Sequence, residues 1–335
     1  MTNLLLSPSL YTLFLYTLID DSWLKSDYVL STRVPLPIHD RLRELGAQVY
    51  TVPVSNKNLL KRAILENFEY MKYYIKSRGK KYSKVYGNDE VHHCYKYREA
   101  GIELIEDGPF NSESMEFFKR RRWKQDCYML NFWFYWLWRD YIPYGYDRKV
   151  KTVWHTESIK LNEKIEAKGK LIDLRMIWEG KSDIQKSNIL SLFSMDLSFI
   201  NELSSYNNVL VTQVLPIPDD EKISIYRSLV AGIAEEELLI KTHYAEGTDY
   251  KKYFPKAKVV SAPVPFQLFD LMGFCPKRLM TISSSAILPF VKEGVEVVFW
   301  GTEIDERIKK GLWRDTLFRH NKSIAYISQY NDSMV

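Results

Sequence analysis

Short apolar runs alternate with segments of helical spacing along this chain, and the alternation limits the possible folds more than any other feature. Between residues 58 and 76, apolar side chains recur every three or four positions, as on one face of a helix. Strands separated by helices form a parallel sheet covered on both faces, so the pattern predicts an α/β fold. The predicted strands are 3–7, 27–31, 48–52, 84–87 and 101–105, then 208–212, 238–241, 258–261, 278–282, 295–299 and 323–327.

The alternation is interrupted in the middle of the chain and then starts again. Residues 147–186 are polar and charged, with one predicted strand at 150–154. A length of 335 residues suits roughly two domains of about 150 residues each. We therefore predict two doubly wound, Rossmann-like domains at residues 1–190 and 200–335, with a ligand cleft between them at the carboxyl ends of the strands.

Three polar clusters come directly after predicted strands. In Glu106-Asp107-Gly108, neighbouring carboxylates raise each other's pKa, which suits a general base, and the glycine lets a substrate approach the backbone. In Lys241-Thr242-His243, the histidine can hold a proton or a positive charge against a phosphate. Ser283-Ser284-Ser285 precedes a predicted helix, whose free N–H groups can bind an anion. The plain alternatives are an acidic turn, a surface histidine and a helix cap.

Composition and missing motifs exclude several classes of protein. With 47 basic and 42 acidic residues the net charge is +5, less than a nucleic-acid binder usually carries but suited to an anionic ligand or an acidic membrane surface. Three cysteines without a CxxC pair exclude a disulfide framework and a cysteine zinc site, and they predict a reducing compartment, the cytoplasm. HExxH, GxGxxG and Walker patterns are absent from the sequence, so we predict neither a metal site nor a cofactor.

Two apolar segments raise the question of a membrane. Residues 4–19 lack the basic start of a signal peptide and are too short to span a bilayer, so we predict a strand that turns into a helix. Residues 119–138 combine a basic run with four tryptophans, which suits the inner face of a membrane. The same segment also suits a buried helix, an aromatic platform for an acceptor sugar or, least well, single-stranded nucleic acid.

Taken together, these motifs resemble those of the bacterial lipooligosaccharide sialyltransferases, glycosyltransferase family 52, and more distantly other bacterial sialyl- and polysialyltransferases. Those enzymes share an acidic-acidic-Gly motif, a His-Pro motif and a Ser/Thr pair. Here Glu106-Asp107-Gly108 and Ser283-Ser284-Ser285 match the first and third, while Tyr244 follows His243 where the family has proline. The resemblance extends over residues 3–330 and includes the stretches 209–213 and 261–266.

The resemblance implies a GT-B fold and an inverting, metal-independent transfer from cytidine monophosphate–sialic acid to a sugar, here a terminal galactose of lipooligosaccharide or capsule. It implies that Asp107 or Glu106 is the general base, with Asp219 as a rival. The donor's phosphate would face His243, and the serines would bind it. The donor-binding residues it implies are Gly108, Lys241, Pro265, Gln267, Ser283, Ser284 and Ser285; Gln267 stands where the family often has an acid.

Other functions remain open at this point. The chain could use a different nucleotide-sugar donor, or it could keep the fold as a non-catalytic peripheral-membrane partner in glycan assembly. The acceptor, the linkage and the oligomeric state, including a homodimer, are not determined by these residues.

Overall fold

The computed structural model of the chain describes residues 2–7, 9–53, 59–88, 101–107, 111, 144–157, 160–290, 294–301 and 304–311. By its internal contacts the chain divides into two compact units, Met1–Leu192 and Phe193–Val335. Within the described residues, no helix is both long and apolar enough to cross a membrane. Three sequence predictions lie outside these ranges: the strand at 323–327, the segment 119–138 and the site residue Gly108.

A parallel sheet of seven strands forms the N-terminal unit. Its strands are β1 Thr2–Ser7, β2 Asp27–Ser31, β3 Gln48–Val52, β4 Tyr82–Gly87, β5 Ile102–Ile105, β6 Val150–Thr156 and β7 Gly169–Ile172. Its helices are α1 Leu10–Ile19, α2 Leu36–Glu44, α3 Leu59–Lys76, α4 Glu163–Glu166, α5 Leu174–Gly180 and α6 Asp183–Leu192, with a 3₁₀ turn at Trp23–Lys25. The strand order is β3-β2-β1-β4-β5-β6-β7, and every pair is parallel.

The central strands of this sheet are apolar on both faces. Leu4, Leu6 and Val85 are fully buried, since a parallel sheet is packed between two layers of helices. The first strand passes directly into α1, where the Ser9 hydroxyl accepts the Thr12 N–H at 3.1 Å and so caps the helix. The strand-to-helix turn predicted for residues 4–19 is therefore confirmed.

A second parallel sheet, of five strands, forms the C-terminal unit. Its strands are β8 Asn208–Val211, β9 Leu238–Lys241, β10 Lys258–Val260, β11 Arg278–Thr281 and β12 Glu296–Phe299. Its helices are α7 Leu197–Leu203, α8 Asp219–Leu229, α9 Tyr250–Tyr253, α10 Phe266–Leu271 and α11 Glu306–Gly311, with 3₁₀ turns at Glu235–Glu237 and Ser285–Phe290. The order is β10-β9-β8-β11-β12, again all parallel.

Both sheets reverse their strand order next to their first strand. In the N-terminal unit the reversal lies between β1 and β4, and in the C-terminal unit it lies between β8 and β11. The connections that leave the two strands at such a point run to opposite faces of the sheet and open a crevice at the carboxyl ends. Each unit therefore has its own topologically defined place for a ligand.

Two differences from the sequence predictions concern Asp219 and the polar stretch 147–186. The sequence of residues 220–233 predicts a helix with Asp219 as its N-cap, whereas in the structure the helix α8 begins with Asp219 itself, behind Pro218. An acidic side chain in the first turn interacts favourably with the helix dipole. The polar stretch 147–186 contains β7 and the helices α4 and α5 besides its one predicted strand. Strand β7 was not predicted from the sequence. It lies at the edge of the sheet, and Ile172 is its only buried residue.

Candidate active site

Polar side chains meet at the carboxyl ends of three neighbouring strands in the N-terminal unit. Glu106 and Asp107 follow β5 directly, Asn88 follows β4, and Thr156 ends β6. Gly87 lets β4 approach β1 closely, because a Cβ at this position would lie 2.4 Å from the Leu6 carbonyl oxygen. The two acids were predicted from the sequence, whereas Asn88 and Thr156 were not.

Glu106 is completely buried, and both of its carboxyl oxygens are occupied. Oε1 accepts the Tyr11 hydroxyl at 2.7 Å and the Thr156 hydroxyl at 2.8 Å, while Oε2 accepts the Thr156 N–H at 2.8 Å. Burial raises the pKa of Glu106 to about 7, although these hydrogen bonds partly oppose the rise and the charge of Asp107 adds slightly to it. The acid is therefore largely protonated below neutral pH, and its complete burial keeps it from contact with solvent.

Asp107 has a different setting from its neighbour. It is partly buried, and its Oδ2 accepts the Asn88 side-chain amide at 3.1 Å. Asn88 is itself held in place, because its backbone N–H donates to the Leu6 carbonyl oxygen at 3.4 Å. Of the two adjacent acids, Asp107 is thus the oriented and partly accessible one.

The raised pKa of Glu106 predicts how stability depends on pH. Its folded-state pKa of about 7 exceeds its ordinary value of 4.5, so its contribution is complete below 4.5 and is lost as the pH rises through 7. The difference corresponds to about 3 kcal/mol. Glu106→Gln resembles the neutral acid, because its amide can donate to the Tyr11 and Thr156 hydroxyls. Urea unfolding from pH 4 to 8 should show a smaller loss of stability in this variant than in the wild type; parallel curves would contradict the prediction.

A second polar cluster lies at the carboxyl ends of the three central strands of the C-terminal unit. Gln213 follows β8, His243 follows β9, and Ser283 and Ser284 follow β11. Two of these strands, β8 and β11, flank the reversal of strand order described above. The cluster thus occupies the place where an open α/β sheet binds its ligand.

Gln213 connects the two sides of this reversal. Its side-chain amide donates to the Ser283 hydroxyl at 2.6 Å, and its backbone N–H donates to the Tyr226 hydroxyl at 3.2 Å. The side-chain oxygen is buried and has no hydrogen-bond partner within the described residues. A buried acceptor of this kind is costly unless a ligand or water donates to it. Gln213 was not predicted as a site residue. Its position next to Thr212, just after the end of β8, could have indicated it.

The serine cluster begins a 3₁₀ turn at Ser285 rather than the α-helix predicted from the sequence. The N–H of Ser284 donates to the Thr281 hydroxyl at 3.1 Å, and the Ser284 hydroxyl accepts the Ala286 N–H at 3.4 Å. Ser283 and Ser284 are both buried at the base of the crevice. These local bonds fix the backbone of the turn, so an anion would be recognised by serine hydroxyls and not by a helix end.

His243 lies in the loop of residues 242–249 between β9 and α9, the histidine loop. This loop holds the side chain in one orientation. Its backbone N–H donates to the Thr212 hydroxyl at 3.2 Å and to Glu246 Oε2 at 3.1 Å. Ring atom Nδ1 accepts the Ala245 N–H at 3.2 Å, and the imidazole stacks on Tyr244 with centroids 4.6 Å apart. Because a backbone amide can only donate, the neutral ring carries its proton on Nε2. Tyr244, which replaces the family's proline, thus supports the imidazole by stacking.

Lys241 is buried at the end of β9, directly before the histidine loop. Its Nζ donates to the carbonyl oxygens of Thr242, at 2.8 Å, and Ala262, at 3.3 Å. Burial lowers the pKa of Lys241 to about 8, partly offset by the charge of Glu246. The amine therefore stabilises two loop carbonyls, whereas the sequence had led us to expect that Lys241 faces a phosphate.

Glu246 connects the histidine loop to the rest of the unit. It was not predicted as a site residue from the sequence. Its side chain is 1% exposed. Oε1 accepts the Tyr250 hydroxyl at 2.9 Å and lies 3.3 Å from Lys222 Nζ, while Oε2 accepts the His243 N–H and the Thr212 hydroxyl. In sequence it is one acid in a polar loop, and its central position arises only from the fold.

The rival base, Asp219, is engaged with its neighbours. Its Oδ1 accepts the Thr248 hydroxyl at 2.8 Å and lies 3.0 Å from Lys222 Nζ. These two contacts, the hydrogen bond first, lower the pKa of Asp219 below its usual range. A carboxylate held ionised in this way is a weaker proton acceptor than an ordinary aspartate.

The remaining predicted donor residues lie on α10. Pro265 is its N-cap, and Gln267 is buried in its first turn. Within the described part of the chain, no group of three histidine, cysteine, aspartate or glutamate residues is arranged to hold a metal ion.

Comparison with known proteins adds three findings. Residues 37–304 match the model of glycosyltransferase family 52. An uncharacterised protein of Haemophilus influenzae is 28% identical over 229 residues, which is 67% of this chain and 70% of that protein. The fold also resembles solved sialyltransferases at low sequence identity.

Two examples from Photobacterium show the extent of this similarity. The α/β-galactoside α-2,3-sialyltransferase of Photobacterium phosphoreum superposes with a TM-score of 0.56 at 12% identity, covering 98% of this chain and 95% of that one. The 2,6-sialyltransferase of Photobacterium sp. JT-ISH-224, solved with the donor product CMP and the acceptor lactose, gives 0.57 at 13% identity, covering 98% and 78%. The predicted GT-B fold is thereby confirmed.

Proposed function

We propose that this chain, which belongs to glycosyltransferase family 52, is a sialyltransferase that uses cytidine monophosphate–sialic acid. Family membership makes it a glycosyltransferase. The observation that carries the proposal is the cluster of Gln213, His243, Ser283 and Ser284 at the strand reversal of the C-terminal unit. The acceptor we propose is a terminal galactose of a bacterial lipooligosaccharide or capsule. The lactose bound to the Photobacterium enzyme supports this acceptor.

The C-terminal cluster suits a departing phosphate. As the bond from the sialic acid to the phosphate oxygen breaks, negative charge grows on that oxygen. A His243 ring with its proton on Nε2 can donate to it, and the hydroxyls of Ser283 and Ser284 can donate to the other oxygens. Donors fixed before the reaction stabilise such charge without reorganising. This arrangement needs no metal ion to neutralise the phosphate, so we propose a metal-independent reaction.

The N-terminal cluster suits the removal of the acceptor's proton. We assign this role to Asp107, which is partly accessible and oriented by Asn88. Glu106 is buried with both oxygens occupied, and Asp219 is held ionised by Thr248 and Lys222. Glu106 then acts as a positioning residue, since it fixes the backbone that presents Asp107.

The bond changes balance in one inverting displacement. The acceptor hydroxyl gives its proton to Asp107 while its oxygen forms a bond to the anomeric carbon of sialic acid. The bond from that carbon to the phosphate oxygen breaks, and its electron pair leaves with cytidine monophosphate. A hydrogen bond or proton from His243 stabilises the leaving group.

The test is direct. Incubation with cytidine monophosphate–sialic acid and lactose should yield sialyllactose and cytidine monophosphate. Cytidine monophosphate should also raise the melting temperature, because a ligand that binds only the folded state stabilises it. Stabilisation by uridine diphosphate alone would indicate a different donor. Absence of turnover and of stabilisation by any nucleotide would indicate the non-catalytic partner considered from the sequence.

Variants of the phosphate-facing residues should weaken nucleotide binding. His243→Ala and Ser284→Ala each remove a donor to a charged phosphate, a loss of about 1.5–3 kcal/mol. We expect the dissociation constant for cytidine monophosphate to rise roughly 10- to 100-fold, measured by calorimetry. The exposed Ser228, whose hydroxyl donates to its own helix backbone, offers a matched control in Ser228→Ala. Unchanged nucleotide binding in both site variants would contradict the assignment.

A further inference from the structure

The outer face of helix α3 is unusually apolar. Phe68 is 57% exposed, Ile75 is 64% exposed and Met71 is 40% exposed. The opposite face packs on the sheet, where Tyr70 and Tyr73 are buried and the ring of Tyr73 lies 5.1 Å from that of Tyr50. At 100° per residue, Phe68 and Ile75 stand roughly 180° from this buried face. A helix on the surface of a globular protein normally has polar side chains there.

The segment that carries this apolar face is strongly basic. Residues 59–84 contain eight lysines and arginines and two glutamates, a net charge of +6, whereas the whole chain carries +5. The rest of the molecule is therefore slightly acidic. The basic side chains Lys72, Lys76, Arg78, Lys80, Lys81 and Lys84 are all exposed. Two of them have acidic partners, since Lys72 pairs with Glu69 and Lys80 with Asp27.

We infer that α3 and the basic turn after it dock on an anionic lipid bilayer. Apolar side chains on an exposed helix can enter the boundary between headgroups and acyl chains, while flanking lysines attract anionic headgroups. A second copy of the chain fits less well, because a two-fold contact would place one +6 segment against the same segment of its partner. The inference concerns binding alone and does not depend on the proposed reaction.

Vesicle sedimentation tests this surface. The full-length protein should sediment with vesicles that contain phosphatidylglycerol, much less with phosphatidylcholine alone, and less as salt is added. The double variant Lys76→Gln, Lys81→Gln should bind about 25-fold more weakly, at roughly 5-fold per charge. Phe68→Ser with Ile75→Ser should bind at least about 10-fold more weakly.

A matched control comes from two apolar side chains elsewhere in the same unit. Met176 is 66% exposed and Ile184 is 75% exposed, so Met176→Ser with Ile184→Ser should bind vesicles as the wild type does. Circular dichroism and the midpoint of urea unfolding would verify folding of every variant. Vesicle binding that all variants retain would overturn the inference, as would a failure of the wild type to bind. Light scattering that finds a dimer dissociated by Phe68→Ser with Ile75→Ser, without a change in vesicle binding, would also overturn it.

Discussion

Replacing Asp107 by asparagine should lower turnover by about 10² to 10⁴-fold, the usual contribution of a general base. The amide keeps the shape of the carboxylate, and its oxygen can still accept the hydrogen bond from Asn88. What disappears is the ability to take a proton from the acceptor. The affinity for cytidine monophosphate should hardly change, because the nucleotide is assigned to the C-terminal unit. Turnover and nucleotide binding measured on the same preparation separate the two effects.

Asp219→Asn is the comparison that decides between the two candidate bases. The change removes a carboxylate that Lys222 and Thr248 hold ionised, so turnover should fall much less than in Asp107→Asn. If Asp107→Asn kept near-normal turnover while Asp219→Asn lost it, the assignment would be wrong. The C-terminal unit would then supply both the base and the phosphate site.

Replacing Glu246 by leucine should destabilise the protein by about 3–5 kcal/mol, the usual cost of breaking a buried ion pair. The substitution leaves Lys222 buried without one of its two carboxylate partners, and it removes the acceptor for the His243 N–H and the Tyr250 hydroxyl. Glu246→Gln should cost less, because it retains one oxygen. Urea unfolding at neutral pH, followed through the transition of the C-terminal unit, measures the loss.

The matched control for this prediction is an ion pair on the surface. Glu236 pairs with Lys256 at 2.8 Å, with both side chains more than half exposed. Glu236→Gln should therefore change stability by no more than about 1 kcal/mol. A similar small effect in Glu246→Leu would mean that the buried carboxylate does not hold the loop. In Glu246→Gln, binding of cytidine monophosphate should weaken along with stability, since His243 loses part of its anchoring.

The fold was largely predictable because its strands are buried on both faces. A run such as Leu4-Leu5-Leu6 has no polar position, and this pattern is specific to a sheet between two helix layers. The edge strand β7 lacks the pattern and was missed for that reason. Boundaries are less well predicted, because the sequence indicates a helix over residues 39–46 where the structure has α2 at Leu36–Glu44.

The candidate site was only partly predictable, because some of its residues follow strands in the sequence and others come together only in the folded chain. Asp107, His243 and Ser284 directly follow or lie close after strands, and a linear sequence indicates such positions. Glu246 acquires its role from partners 3 to 34 residues away in the sequence, and no local pattern encodes such a set. From the sequence alone, Glu106 and Asp107 are equally good candidates for the base. Only the structure shows that Glu106 is fully buried and hydrogen-bonded, whereas Asp107 is partly exposed.

The anchoring of the histidine loop has a consequence for how tightly the protein must hold its ligand. Glu246 binds groups at Thr212, Lys222 and Tyr250 as well as the backbone of His243, and all of these contacts join protein groups to one another. The conformational entropy of the loop is thus lost during folding and not during ligand binding. A nucleotide that binds to this ordered loop can therefore be held through few contacts. The product nucleotide can dissociate without the loop becoming disordered.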